Sequence, residues 1–321
     1  MKFSVVIPSY NKVEYIERAI NSVLCQSEPD FELIVVDDGS TDGTYEKARE
    51  ILENKAECCV VLRQKNAGVA DARNTGANFS KGQYISFLDA DDWWEPDYLQ
   101  QMSILLKEYP QAGMYGSGYY IVKNGHKRIA PIGVPLGFEK GIINYCRTYS
   151  NTMCMPISSS SVTIPREIFL ESGGFESGIS LGEDFLLWIR LALKYPVALV
   201  NLPLSNYFQD IPSRKRATRR LHEPSKHMIW NMDFLKEDEL RNRDLKVLLD
   251  KIRANGLFRF YLSKEYHDLA VKKMECIDWS NVSSGLYDFY HSSLFYQRVK
   301  FKCREYASHL KQFFYRNIRN R

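Results

Sequence analysis

The chain has 321 residues, of which 45% are hydrophobic, 26% charged and 13% aromatic; this excludes an intrinsically disordered protein and allows a large apolar core. No apolar run approaches the roughly 20 residues that span a bilayer, and the opening MKFSVVIPSYNK is too short an apolar stretch for a secretory signal, so no export is expected. The net charge of +4 is uneven, with eight Lys/Arg against one acid, Glu305, in residues 291–321; the seven cysteines include no C-x-x-C pair, which predicts reduced thiols.

Phe3 to Ile7 is a β-branched apolar run that predicts a buried strand, with Pro8-Ser9-Tyr10-Asn11 as the turn that ends it. Ile16, Ala19, Ile20, Val23 and Leu24 then recur at helical spacing. Glu32 to Val36 predicts a second strand, stopping at Asp37-Asp38-Gly39-Ser40, and Thr41 or Asp42 is the expected cap of a polar helix. Cys58 to Leu62 reads as a third strand, Val69 to Phe79 as a helix and Tyr84 to Leu88 as a fourth strand that stops at Asp89-Ala90-Asp91-Asp92. A helix from Pro96 to Lys107 follows, with proline in its first turn.

This alternation predicts an α/β fold, Rossmann-like, with a mostly parallel central sheet flanked by helices. Ligands of such sheets sit outside the carboxyl ends of the strands. The polar stretches after Ile7, Val36 and Leu88 therefore mark the expected site.

Further on, residues 112–141 read as short strands and loops, Ser158 to Ile164 as a strand and Pro165 to Glu171 as a short helix. Gly182-Glu183-Asp184 leads into an amphipathic helix carrying Leu187, Trp188, Leu191 and Ala192. Strand-forming runs vanish after about Arg214, which predicts an α/β domain over residues 1–213 and a basic helical region over 214–321.

Three constellations carry chemistry. Asp89 and Asp91, one residue apart at a strand end, offer hard oxygens to Mg²⁺ or Mn²⁺; the alternative is an acidic turn in which Asp92 caps the next helix. Asp37-Asp38-Gly39-Ser40 can accept from a base N–H or ribose hydroxyls, or can be a plain turn. Gly68 opens a helix whose N-terminus favours anions, and on that helix Arg73 is a single directed charge on a face shared with Ala70, Asn74 and Ala77.

The segments V-V-I-P-S-Y-N, V-V-D-D-G-S-T-D-G-T, N-A-G-V-A-D-A-R-N-T-G, Y-I-S-F-L-D-A-D-D and G-E-D-F-L-L-W occur in that order. Together they resemble family 2 glycosyltransferases of the GT-A nucleotide-diphospho-sugar transferase fold, over roughly residues 2–210. The resemblance implies that Pro8, Tyr10 and Asp37 hold the nucleotide base and its ribose, with Asp38 and Gly68 in the same donor site. It implies that Asp89 turns towards ribose, that Asp91 ligates a Mn²⁺ or Mg²⁺ ion bridging the diphosphate, and that Arg73 supports the leaving group. Glu183 and Asp184 match the acidic pair that supplies the catalytic base, with Asp184 preferred. Many relatives carry a Y-R-x-H-like element where this chain reads Tyr207-Phe208-Gln209-Asp210. Either Asp210 replaces that histidine on the metal, or the contact is absent.

The implied activity is an inverting, metal-dependent transfer of a sugar, from a UDP-sugar first of all, to an acceptor hydroxyl in bacterial cell-surface polysaccharide or lipid-linked glycan synthesis. A non-catalytic sugar-nucleotide-binding relative is the alternative; it would be expected to lack a carboxylate, and none is missing. An oxidoreductase would need G-x-G-x-x-G after the first strand, and that is absent. The tail alternates Phe301, Tyr306, Leu310, Phe313 and Phe314 with Lys300, Lys302, Arg304, Lys311 and Arg316. It reads either as a helix for an anionic membrane surface or as an ordinary solvated helix. Arg214-Lys215-Arg216 with Arg219-Arg220 reads as a lipid-diphosphate site or a solvated loop. The expected setting is cytoplasmic, with peripheral membrane contact and no nucleic-acid partner.

Overall fold

The computed structural model describes residues 1–55, 57–210 and 221–293. The chain divides into two compact units, Met1–Phe234 and Leu235–Arg321.

The first unit begins with the expected alternation: β1 (Phe3–Ser9), α1 (Ile16–Leu24), β2 (Phe31–Asp37), α2 (Thr44–Leu52), β3 (Cys59–Arg63), α3 (Val69–Phe79) and β4 (Tyr84–Phe87). These strands lie in the order β3-β2-β1-β4, and all three pairings are parallel. β1 and most of β2 are buried along their length, because the helices of parallel crossovers cover both faces of such a sheet. α1 buries Ile16, Ala19, Ile20 and Val23, the stripe that helical spacing dictates. On α3, a Cβ at Gly76 would stand 2.4 Å from Val6 Cγ1, so only glycine lets this helix lie directly on β1.

The second half of the sheet is mixed. It is built from β5 (Trp93–Trp94), α4 (Tyr98–Glu108), β6 (Met114–Lys123), β7 (His126–Ile129), β8 (Lys140–Ile143), α5 (Tyr145–Thr152), β9 (Val162–Pro165), α6 (Arg166–Glu171), α7 (Glu183–Lys194) and β10 (Val197–Phe208). The order continues β4-β9-β6-β10-β5, with β7 on β6 and β8 on β10. Here β6 and β10 pair in parallel, and the other pairings are antiparallel.

Two local departures have physical reasons. Pro8 lies inside β1, paired with Val36, rather than in the turn after it. The ladder with β4 has already ended at Val6–Phe87, so a missing N–H is tolerated there. β10 carries no clean strand signal because Pro203 interrupts it, and its register against β6 shifts between Val200 and Ser205.

The second unit is helical over its described residues: α8 (Lys236–Arg241), α9 (Arg243–Gly256), α10 (Phe258–Leu262), α11 (His267–Met274) and α12 (Ser284–His291). α9 buries Leu245, Leu248, Leu249 and Ile252 together with Asp250, whose carboxylate takes Lys246 Nζ at 2.6 Å and Asn281 Nδ2 at 2.9 Å. Among the described residues no helix is long and apolar enough to cross a membrane. The expected boundary at 213/214, the cluster Arg214 to Arg220 and the basic aromatic residues from Lys300 to Arg316 lie outside the described residues.

Candidate active site

β1, β2 and β4 end side by side, which sets the polar sequences after them at one edge of the sheet. Asp37, the last residue of β2, is fully buried; its Oδ2 accepts the Ser40 N–H at 3.1 Å and lies 3.3 Å from Arg63 Nε. Its Oδ1 is buried with no partner among the described residues, an acceptor with nothing to accept from. Tyr10, just past β1, exposes its ring.

Asp38 has a different task from its neighbour. Its Oδ1 accepts from Gln64 Nε2 at 2.8 Å and the Ala67 N–H at 2.9 Å, and its Oδ2 from the Gly68 N–H at 2.8 Å and Asn66 Nδ2 at 3.1 Å. The anion drawn to the start of α3 is therefore this carboxylate of the chain itself, and Asp38 shapes the 64–68 loop. Gly68 is needed for its backbone: its φ of 102° lies where L side chains are strained.

The acidic turn after β4 is held by cations. Arg73 of α3 is 2% exposed and forks, with Nη2 donating to Asp89 Oδ1 at 2.7 Å and Nη1 to Glu183 Oε1 at 2.8 Å. Burial alone would loosen its proton, but the charges of Asp89 and Glu183 outweigh burial and hold it tighter. Lys12, in the loop after β1, donates to Asp91 Oδ2. Arg18 of α1 donates to the Asp91 carbonyl at 2.6 Å, with its guanidinium 3.8 Å from the Trp93 ring centre and 4.5 Å from that of Phe208.

Asp92 is not a helix cap. It is buried, and its carboxylate accepts from Ser160 Oγ at 2.6 Å and the Phe208 N–H at 2.7 Å, which ties the acidic turn to the end of β10. Burial, then the charges of Asp91 and Asp89, push its pKa well up.

Asp210 is engaged at a hairpin turn. Its carboxylate accepts the N–H groups of Asn124 and Gly125 and so closes the turn between β6 and β7. Among the described residues no group of three or more His, Cys, Asp or Glu side chains is placed to hold a metal ion. The donor set that does exist is of hard oxygens: Asp91 Oδ1 and Asp89 Oδ2 accept no hydrogen bond from any described residue, while each partner oxygen is held by a cation. This fits a Mg²⁺ or Mn²⁺ ion that takes one or two carboxylate oxygens from the protein and the rest from phosphate and water.

Glu183 and Asp184 open α7 behind Gly182, whose left-handed backbone (φ 85°) turns the chain into the helix. Glu183 is tied to Arg73, whereas Asp184 carries no ion pair among the described residues: its Oδ1 accepts the Phe185 N–H at 2.7 Å and its Oδ2 the Ser159 hydroxyl at 3.1 Å. Burial, and next the charge of Glu183, lift the Asp184 pKa to about 6, against the pull of Arg73 and the two hydrogen bonds. A carboxylate in this state can take a proton near neutral pH.

Lys12, Arg18, Ser159 and Ser160 are site residues that the motif reading missed. Lys12 carried one signal, since it follows Tyr10 by two positions in a loop at the carboxyl end of a strand. The serines carried another: four in a row, read as the start of a strand, form a tight 3₁₀ turn (Ser159–Ser161) before β9.

Two sequence families match the chain: one described as Glycosyl transferase family 2, over residues 4–158, and one described as Glycosyl transferase family group 2, over residues 84–276. The glycosyltransferase GlyA of Streptococcus pneumoniae is 38% identical over 119 residues, which are 37% of this chain and only 17% of that protein. The putative teichuronic acid biosynthesis glycosyltransferase TuaG of Bacillus subtilis is 34% identical over 197 residues, 60% of this chain and 72% of that one. Among solved structures, residues 1–349 of TarS from S. aureus, in complex with UDP-GlcNAc, superpose with a TM-score of 0.70 at 19% identity, covering 94% of this chain and 88% of that one. At that identity the likeness establishes the shared fold.

Proposed function

The chain belongs to glycosyl transferase family 2, and on that premise we propose that it moves a sugar, with inversion, from a nucleotide-diphospho-sugar to an acceptor hydroxyl. The observation that carries this reading is the Arg73 bridge. It draws Asp89, just after β4, and Glu183, the neighbour of the candidate base Asp184 at the start of α7, onto one buried cation, so the donor-side acid and the acidic pair share one site. A UDP-sugar is the first donor to test, because TarS, of the same fold, binds UDP-GlcNAc. The teichuronic acid role in the name of TuaG supports an acceptor in cell-surface polysaccharide or lipid-linked glycan synthesis. The excess of Lys and Arg over 291–321 suits attraction to an anionic membrane.

In this reading Tyr10 offers its exposed ring to the base, and Asp37 Oδ1 accepts from the base or ribose. Asp89 keeps one oxygen for ribose while Arg73 holds the other. A Mn²⁺ or Mg²⁺ ion on Asp91 would supply neutralisation of the charge that builds on the diphosphate. Lys12 and Arg73 add fixed positive charge on that side. Asp184 takes the proton of the acceptor hydroxyl as its oxygen attacks the anomeric carbon. The bond to the diphosphate breaks with its electron pair leaving on the phosphate oxygen, and attack from the opposite side inverts the centre.

Thermal melting with UDP-, GDP-, dTDP- and CMP-sugars, with and without Mn²⁺, tests the donor site. A UDP-sugar at 100 times its Kd should stabilise the wild type by about 2.7 kcal/mol, and Asp91→Ala should lose the metal-dependent part of that gain. No stabilisation by any of these donors would contradict the proposal.

A further inference from the structure

Residues 158–161 are four consecutive serines. They close on themselves, with the Ser158 N–H on Ser161 Oγ at 2.8 Å and the Ser161 N–H on Ser158 O at 3.0 Å. Ser159, Ser160 and Ser161 are all buried, where a hydroxyl must find partners. Two of them reach in different directions. Ser159 Oγ donates to Asp184 Oδ2 at 3.1 Å. Ser160 Oγ donates to Asp92 Oδ2 at 2.6 Å and accepts the Asp89 N–H at 3.1 Å, so its one hydrogen and a lone pair grip both ends of the acidic turn. The Ser160 carbonyl is itself held by Trp94 Nε1 at 2.7 Å.

We propose that Ser159 and Ser160 are positioning residues for the two halves of the site: Ser159 orients Asp184, and Ser160 fixes the turn that carries Asp89 and Asp91. Adjacent Cα atoms are about 3.8 Å apart across a trans peptide, so one rigid peptide unit sets the spacing between base and donor carboxylates. The inference rests on Asp184 as the base and Asp91 as the donor-side ligand.

The groups around Asp184 give Ser159 a distinct signature. Glu183 on α7 raises the Asp184 pKa and Arg73 on α3 lowers it; Tyr145 and Tyr149 on α5 stand close enough to feel its charge. The hydroxyl that donates to its Oδ2 is that of Ser159. A hydrogen bond to a carboxylate favours the charged form, so its loss raises the pKa further.

The test uses the full chain with Ser159→Ala, Ser159→Thr and Ser160→Ala. Its readouts are the Asp184 carboxyl titration by ¹³C-aspartate NMR, assigned with Asp184→Asn, and the affinity for UDP with Mn²⁺. Ser159→Ala should raise the titration midpoint by about half a pH unit or more and leave UDP–Mn²⁺ affinity unchanged, with Ser159→Thr restoring the midpoint. Ser160→Ala should weaken UDP–Mn²⁺ affinity by about fivefold and leave the Asp184 midpoint in place. If both alanine variants move both readouts together, the turn is only a structural prop and the proposal is overturned; it is overturned equally if neither moves either. Asp184→Asn that releases UDP from UDP-sugars at the wild-type rate would remove the base reading itself. Loss of release in that variant with an unmoved Ser159→Ala titration would remove this proposal alone.

Discussion

Asp184→Asn is expected to lower kcat by about 10²- to 10⁴-fold while leaving donor affinity close to that of the wild type. The asparagine keeps the shape of the side chain and an oxygen for the Phe185 N–H, but it cannot take a proton from the acceptor. Of the acidic pair, Glu183 is committed to Arg73, so its removal would disturb the donor side as well. Asp184 has no such tie among the described residues, and its pKa of about 6 suits a base.

The pH dependence follows with a definite sign. Wild-type kcat should fall as pH drops through about 6, because burial and Glu183 make the carboxylate bind its proton there. That limb should be absent from the residual rate of the variant. Stability should run the other way. The raised pKa means that the folded state binds the proton more tightly than the unfolded state, whose carboxyl titrates near its ordinary value of about 3.9. The contribution is full below that value and is lost as pH rises through about 6, so above it the native fold carries a buried charge. Asp184→Asn never carries that charge and should melt no lower than the wild type at pH 8.

The second large effect is expected at Arg73. Arg73→Met preserves bulk but leaves Asp89 and Glu183 without their shared cation, and removing one partner of a buried ion pair costs about 3–5 kcal/mol. The Asp89 side chain is 31% exposed and can be partly rehydrated, so the loss should lie near the lower end, about 3 kcal/mol, read as a lower urea midpoint. Arg73→Lys should recover only part of the loss, because an ammonium cannot fork between two carboxylates as a guanidinium does.

The elements that position the site were legible in the sequence where one local pattern decides them. The runs at Phe3, Glu32 and Tyr84 gave their strands, and the apolar stripes of α1 and α7 gave their helices. What escaped was long-range. Lys12 meets Asp91 across 79 positions, and Ser160 meets Asp92 across 68, so no window of the sequence joins them. Asp38 shows the converse limit: beside Asp37 it reads as a ligand-binding twin, yet it faces the 64–68 loop and is consumed there. Asp210 stands where the resemblance sets either a metal-side oxygen or no contact, and no local pattern shows that its carboxylate satisfies the two N–H groups of the hairpin turn at Asn124-Gly125. β10 was illegible because a proline and a shifted register break its period.

The measurement that tests the central claim most directly is release of UDP, followed by ³¹P NMR with Mn²⁺ present, from a UDP-sugar that stabilises the wild-type protein. Wild type, Asp91→Ala and Asp184→Asn are compared at equal concentration. Release by the wild type, slowed at least about 100-fold in both variants, is the predicted result. Release at the wild-type rate from either variant would contradict the roles given to these two carboxylates.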